Sequence, residues 1–318
     1  MSSWDRRYAE QVKLLVEILP ALAREPRFAL KGGTAINLFE HDLPRLSVDI
    51  DLTWLPVGNF ANDAASIAES LAALGEALRS GPMRLQVQPS ANQGAPINRI
   101  IASRGRAQVK IETSPVMRGS VHPIRSMTVQ PAVEAAFGFA QVQVLHFADL
   151  YAGKLAAALS RQHPRDLFDM GAVLEQERLD AMLWRTFLIY LTCSPKPAAE
   201  ILAPAEPRDF SATFADHFEG MTAEPTSAEA LLAIRDRLLA RMRELMDDSS
   251  CEFLMAVERE APAFDLLGMP QAASLPAIRR KLENLGRRSH AKRAADQRKL
   301  QDTLEQLRGT GSSHRGVP

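Results

Sequence analysis

The sequence predicts an α+β protein: a first half in which helices alternate with the strands of a mixed sheet, and a second half that is helical throughout. Three observations carry this. Between residues 8 and about 130, apolar positions switch between a period near 3.6 and a period of two. From about residue 147 the helical period persists, with Pro195, Pro197, Pro204, Pro207 and Pro225 as punctuation. The chain has 318 residues, enough for two ordinary domains. The expected division is 1–145 and 146–308, with 309–318, rich in Gly and Ser, as a disordered tail.

Each element has its own signal. Val12, Leu15, Val16, Ile18, Leu19 and Leu22 fall at helical spacing, and Pro26 follows, so residues 8–23 read as a helix. Phe28, Ala29 and Leu30 form a short apolar strand. Gly32 and Gly33 make a turn, and Thr34 stands as the N-cap of a helix reaching Phe39. Residues 46–53 alternate strictly: Leu46, Val48, Ile50 and Leu52 take one face, and Ser47, Asp49, Asp51 and Thr53 the other. An Ala- and Leu-rich helix over 62–79 follows. Strands are expected near 83–88, 97–103, 107–113 and 127–130. Beyond them, 147–160, 164–174, 181–191, 227–246, 250–259 and about 275–308 read as helices.

Composition narrows the class of function. With 46% hydrophobic and 24% charged residues, the chain matches a soluble globular protein. Its formal charge is zero, so no global basic field points to nucleic acid. The charge is unevenly spread, however: residues 270–318 hold 11 Lys and Arg against 4 Asp and Glu. The two cysteines, Cys193 and Cys251, give neither a disulfide framework nor a zinc motif. The N-terminus lacks an apolar signal region, and no apolar run spans a bilayer. A cytoplasmic setting without a membrane partner is the expectation.

The chemistry concentrates in a few stretches. Asp49 and Asp51 project from one strand face with Cα atoms roughly 6.5–7 Å apart, a separation from which two carboxylates can converge on hard cations such as Mg²⁺. Lys31-Gly32-Gly33-Thr34 lies just upstream. Glycines let backbone N–H groups approach a phosphate, and a following helix N-terminus favours negative charge. Lys110 and Glu112 share the outer face of a later strand, where Glu112 can complete an acidic cluster. In the second half, Lys154 sits on a helix among small and apolar neighbours, as a snorkelling or phosphate-binding lysine would. Asp166 and Asp169 share one face of the next helix, and Asp166 falls in its first turn.

Together these residues resemble the AbiEii/AbiGii family of nucleotidyltransferase toxins, within the DNA polymerase β-like superfamily. The first motif is Lys31-Gly32-Gly33-Thr34 with Arg45-x-Ser47-x-Asp49-x-Asp51. The second is Lys110-x-Glu112, and the later ones are Asp149-Leu150-x-x-x-Lys154 and Arg165-Asp166-x-x-Asp169. They occur in the family's order over about residues 27–170, and the rest agrees in helical character. The superfamily's third carboxylate is often Asp; here it is Glu112, with a longer arm.

The resemblance implies a polymerase β-like catalytic domain, with an all-α domain completing its cleft. It implies a type IV toxin–antitoxin system using an NTP with Mg²⁺ or Mn²⁺. Asp49, Asp51, Lys154 and Asp166 would be catalytic, and Asp49, Asp51 and Glu112 would hold metal. Lys31, Gly32, Gly33, Thr34, Arg45, Ser47 and Lys154 would bind the nucleotide. In the relatives called MenT, nucleotides are added to the 3′ end of tRNA, which blocks aminoacylation. A tRNA substrate and an adjacently encoded DNA-binding antitoxin are therefore the expected partners. Arg279, Arg280, Lys281, Arg287, Arg288, Lys292 and Arg293 stand as a candidate RNA-binding surface, and equally as a solvated face or an antitoxin-docking surface. Other superfamily members nucleotidylate antibiotics or proteins. A protein or small-molecule hydroxyl thus stays open as acceptor, as does a non-catalytic nucleotide-binding role.

Overall fold

A seven-stranded mixed sheet in the order β3-β4-β5-β2-β1-β7-β6 organises the first part of the chain. The structure, a computed structural model, describes residues 6–90 and 96–309. Of the expected tail, Gly309 ends the last helix and 310–318 lie outside the described residues. Two compact units divide the chain: Met1–Leu150 with Phe218–Pro225, and Tyr151–His217 with Thr226–Pro318.

In the first unit, α1 (Arg6–Leu22) buries Val12, Leu14, Leu15, Val16, Ile18 and Leu19. Each such side chain contributes on the order of 1.5–3 kcal/mol of burial, so the helix is a core element. Strand β1 (Phe28–Lys31) runs into α2 (Gly32–Ala35), whose last turn opens into a π-helical segment, Ile36–Glu40. Strand β2 (Asp49–Trp54) is shorter than its alternation suggests. Residues 44–46 instead pair with the late segment: Leu46 N–H donates to the Met221 carbonyl at 2.8 Å, Ala223 N–H to that of Pro44 at 2.9 Å, and Arg45 bridges Thr222.

Helix α3 (Phe60–Ser80) is capped by Asn59, whose side chain accepts the Ala61 N–H at 2.9 Å. Strands β3 (Gln86–Ser90), β4 (Arg99–Arg104) and β5 (Ala107–Arg118) follow as antiparallel neighbours. The sequence places the end of β5 near 113. The strand continues because its register against β2 shifts: Leu52 faces Thr113, but Trp54 faces Arg118. Such a bulge accommodates Pro115, which has no N–H to give a regular ladder. Strand β6 (Arg125–Thr128), α4 (Pro131–Phe137) and β7 (Gln141–Val144) complete the sheet. Parallel pairing of β1 with β7 and of β2 with β5 places the motif strands at its centre.

Helix α5 (Phe147–Arg161) begins in the first unit and ends in the second. The second unit holds α6 (Pro164–Glu175), α7 (Ala181–Thr192), α8 (Ala198–Leu202), α9 (Phe210–His217), α10 (Ala228–Leu245), α11 (Asp248–Glu258), α12 (Pro276–Gly286) and α13 (His290–Gly309). Helix α7 is the buried centre, with Leu183, Trp184, Phe187, Leu188, Ile189 and Leu191 all enclosed. The Trp184 indole N–H donates to the Ser250 hydroxyl at 3.0 Å, satisfying a donor that burial would otherwise strand. The single helix expected over 275–308 is two, divided at residues 287–289. Among the described residues no helix is long and apolar enough to cross a membrane.

Candidate functional site

The register of the central strands aligns the charged residues in a row. Lys31 on β1 faces Asp51 on β2, Asp51 faces Glu112 on β5, and Glu112 faces Arg99 on β4. Asp49 faces Lys110 in the neighbouring row. Two carboxylates directly opposite each other repel, and cations flank them here. Lys110 Nζ donates to Glu112 at 2.8 Å, and an Arg99 nitrogen lies 4.0 Å from the second Glu112 oxygen. Desolvation works against the Lys110 charge. The hydrogen bond to Glu112 and the charges of Asp49, Glu112 and Asp51 outweigh it and raise the Lys110 pKa. For half-buried Lys31, desolvation dominates and lowers the pKa, with Asp51 and Glu112 opposing. The row is therefore a focus of negative potential, tempered by two lysines.

The glycine turn is built onto this row. Gly32 has φ +73°, and a Cβ added there would meet Asp51 Oδ2 at 2.5 Å. A Cβ on Gly33 would meet an Arg45 guanidinium nitrogen at 2.7 Å and the Ser47 hydroxyl at 3.0 Å. Gly32, Gly33, Arg45, Ser47 and Asp51 are thus one packed unit, and the two halves of the first motif need each other. Arg45 is only 2% exposed and donates to the Leu46 carbonyl at 2.9 Å. Thr34 departs from its expected part. The helix starts at Gly32 with Lys31 as N-cap, and the Thr34 side chain turns inward. Its hydroxyl donates to the Asp49 carbonyl at 2.5 Å and pairs with the Ser47 hydroxyl at 3.0 Å. It ties the turn to β2 and is not the helix cap.

Asp49, Asp51 and Glu112 are hard oxygen donors on neighbouring positions, and the glycine turn leaves open the space beside the Asp51 carboxylate that a side chain would fill. This set fits a hard divalent cation such as Mg²⁺. Glu112 would share its charge with Lys110. Beside the row opens a cavity of about 670 Å³, bounded by Lys31, Asp51, Glu112, Asn98 and the α3 residues Phe60 and Ile67. That is the size range of small-molecule sites.

The later motifs form their own cluster in the second unit. Lys154 is 8% exposed, and its ammonium bonds Asp166 at 3.0 Å and Asp169 at 2.9 Å. Arg161 donates to both Asp166 oxygens, at 2.5 and 3.0 Å. Desolvation opposes the Asp166 charge, yet Lys154 and Arg161 hold its carboxyl well below the usual range. His163 caps α6, its Nδ1 accepting the Arg165 N–H at 3.2 Å. Burial, then the Arg165 charge, pushes its pKa down to about 4, which keeps the accepting nitrogen unprotonated.

The basic stretch is largely used up within the protein. Lys281 is buried and donates to the carbonyls of Ser194 and Lys196 at 2.8 and 3.0 Å. Arg288 and Lys292 both bond Asp296, and Arg293 bonds Glu260. Arg279, Arg280 and Arg287 point to solvent.

One constellation carries no sequence signal. His122, His146 and Asp149 place ligand atoms within 4.8 Å of one another, although the histidines are far apart in the chain. The Asp149 carboxylate accepts the N–H groups of Val121 at 2.9 Å and His122 at 3.0 Å. It therefore anchors the turn after β5, a part that its place in the Asp149–Lys154 motif does not suggest.

The family described as the nucleotidyl transferase AbiEii toxin of a type IV TA system matches residues 13–265. No curated protein matches the chain. Among solved structures, the nucleotidyltransferase toxin MenT4 of Mycobacterium tuberculosis H37Rv is similar, with a TM-score of 0.50 and 14% identity over 95% of this chain and 94% of that one. At that identity the likeness is one of fold.

Proposed function

The chain belongs to the AbiEii family of nucleotidyltransferase toxins of type IV toxin–antitoxin systems, and on that premise we propose that it transfers nucleotides from an NTP to the 3′ end of tRNA. The observation that supports this is the seating of the glycine turn on Asp51: the backbone that would approach the phosphates packs against the carboxylate that would hold the cation. Asp49 and Asp51, with Glu112, would hold Mg²⁺ or Mn²⁺. Such an ion, when bound, supplies positive charge to the phosphate oxygens.

The chain's own residues do the rest by positioning and electrostatics. The first N–H groups of α2, at Gly33 and Thr34, lack intrahelical acceptors and would be available to the triphosphate. Lys31 offsets its charge. Arg45 and Ser47 hold the turn in place, and Thr34 locks it to β2. An acceptor hydroxyl attacks the α-phosphorus in line and gives up its proton to solvent, forming a new phosphoester as the bond to pyrophosphate breaks. In the second unit, Asp166 and Asp169 fix the ammonium of Lys154, the charge that the family motif assigns to the nucleotide. A cognate antitoxin is the expected protein partner.

The test is incubation of the protein with total tRNA and each α-labelled NTP in turn, followed by gel separation. We expect label on RNA with at least one NTP, and an Asp51→Ala variant slower by about 10²–10³-fold or more. Undiminished labelling by that variant would remove Asp51 from the mechanism. Label appearing on protein instead of RNA would make a protein hydroxyl the acceptor.

A further inference from the structure

The cavity beside the carboxylate row is lined by Lys31, Asp51 and Glu112 and stops short of the glycine turn itself. It spans the central strands β1, β2 and β5 and extends toward α3. Neither glycine of the turn lines it, nor do Thr34, Arg45 or Ser47. In-line displacement puts the attacking and leaving oxygens on opposite sides of the phosphorus. With the leaving pyrophosphate at Gly33 and Thr34, which do not line the cavity, the cavity is left to the attacking hydroxyl.

The cavity wall has a feature that a plain water-filled cleft does not need. Phe60, the first residue of α3, is a large apolar side chain left 48% exposed. It is held from several directions. Asn59 caps the helix at this point. The Arg118 guanidinium lies 5.8 Å from the Phe60 ring centroid, and Arg118 is itself buried and ion-paired with Asp63. Asp63 in turn accepts the Gly58 N–H at 2.8 Å, fixing the loop that leads to Phe60. An exposed aromatic ring beside a cavity lined by carboxylate and lysine is a stacking platform for a flat heterocycle with a hydroxyl-bearing sugar attached.

We propose that this cavity seats the terminal nucleoside of the acceptor RNA, its base stacked on Phe60 and its hydroxyl directed at Asp51 and Glu112. The inference rests on the transfer reaction proposed above and adds the acceptor subsite to it. Base–aromatic stacking is sequence-tolerant, so Phe60 positions any unpaired terminal base.

The experiment compares the full-length protein with Phe60→Ala and Phe60→Trp. Binding of a 5′-fluorescein RNA hairpin with a single-stranded 3′ end is followed by anisotropy. Binding of each of the four α,β-methylene nucleoside triphosphates in Mg²⁺ is followed by calorimetry, and KM for RNA is measured in the labelling assay. Phe60→Ala is expected to weaken RNA binding and raise KM for RNA by roughly 5- to 100-fold, with nucleotide affinity within about twofold, while Phe60→Trp retains RNA binding. Loss of nucleotide affinity with RNA binding unchanged would assign the cavity to the donor. No effect on either ligand, or no RNA binding by the parent protein, would also overturn the proposal. RNA binding that depends on Phe60 without any transfer would instead leave the subsite standing and sink the transfer reaction.

Discussion

Gly32 has no room for a side chain. Its backbone is left-handed, which costs a residue bearing Cβ about 1–2 kcal/mol, and a methyl group there would collide with the Asp51 carboxylate. Gly32→Ala is therefore expected to lower transfer by an order of magnitude or more, with the far-UV circular dichroism spectrum unchanged. An unaltered rate would mean that the turn does not set the position of Asp51. At this scale the sequence was informative where local geometry rules: the period of two put Asp49 and Asp51 on one face, and the structure places them so. It was uninformative where a side chain chooses between two hydrogen-bond partners. Thr34 has the composition of an N-cap, but the Asp49 carbonyl lies within its reach and wins.

Lys154 links two helices, and its bonds to Asp166 and Asp169 join α5 to α6. Removing one partner of a buried ionic cluster costs about 3–5 kcal/mol, and here Arg161 would still pair with Asp166. Lys154→Met is thus expected to be substantially less stable, as measured by thermal or denaturant unfolding, and loss of activity in it would not by itself identify a catalytic role. The effect has a definite pH dependence. The Asp166 carboxyl is held below its unfolded value, so its contribution is present above about pH 4 and is lost as the pH falls through the folded value. Without Lys154 the buried carboxylates are penalised at neutral pH and relieved on protonation. The stability gap between parent and variant should therefore be widest near pH 7 and narrow toward pH 4; a gap independent of pH would refute the ionic account. Helices such as α5, α6 and α7 were legible from their period alone. The extension of β5 past Pro115 was not, because a proline reads as a strand end unless the bulge that accommodates it is visible. Helix α4 and strand β7 are too short for periodicity to mark.

For the molecule as a whole, the zero formal charge means that attraction to RNA depends on local patches. The sequence shows a surplus of positive charge near the C-terminus but not which charges are spent internally, since that depends on partners such as Glu260 and Asp296 brought close by folding. With Lys281, Arg288, Lys292 and Arg293 engaged, the exposed Arg279, Arg280 and Arg287 are the members of the set left to be tested as phosphate contacts. Replacing these three by Gln should reduce the slope of log affinity for tRNA against log salt by about 2–3, with little change in melting temperature. An unchanged slope would remove this face from RNA binding. The return of Phe218–Pro225 to the first unit has a consequence for how the protein is made. Synthesis proceeds from the N-terminus at about 5–20 residues per second, so β1 and β2 leave the ribosome roughly ten to thirty seconds before Met221, Thr222 and Ala223. The segment bearing Arg45 closes its backbone pairing only when those residues arrive. The strand-side support of the glycine turn therefore waits for about 170 further residues to be made, whereas its contacts with β1 and β2 are within reach at once.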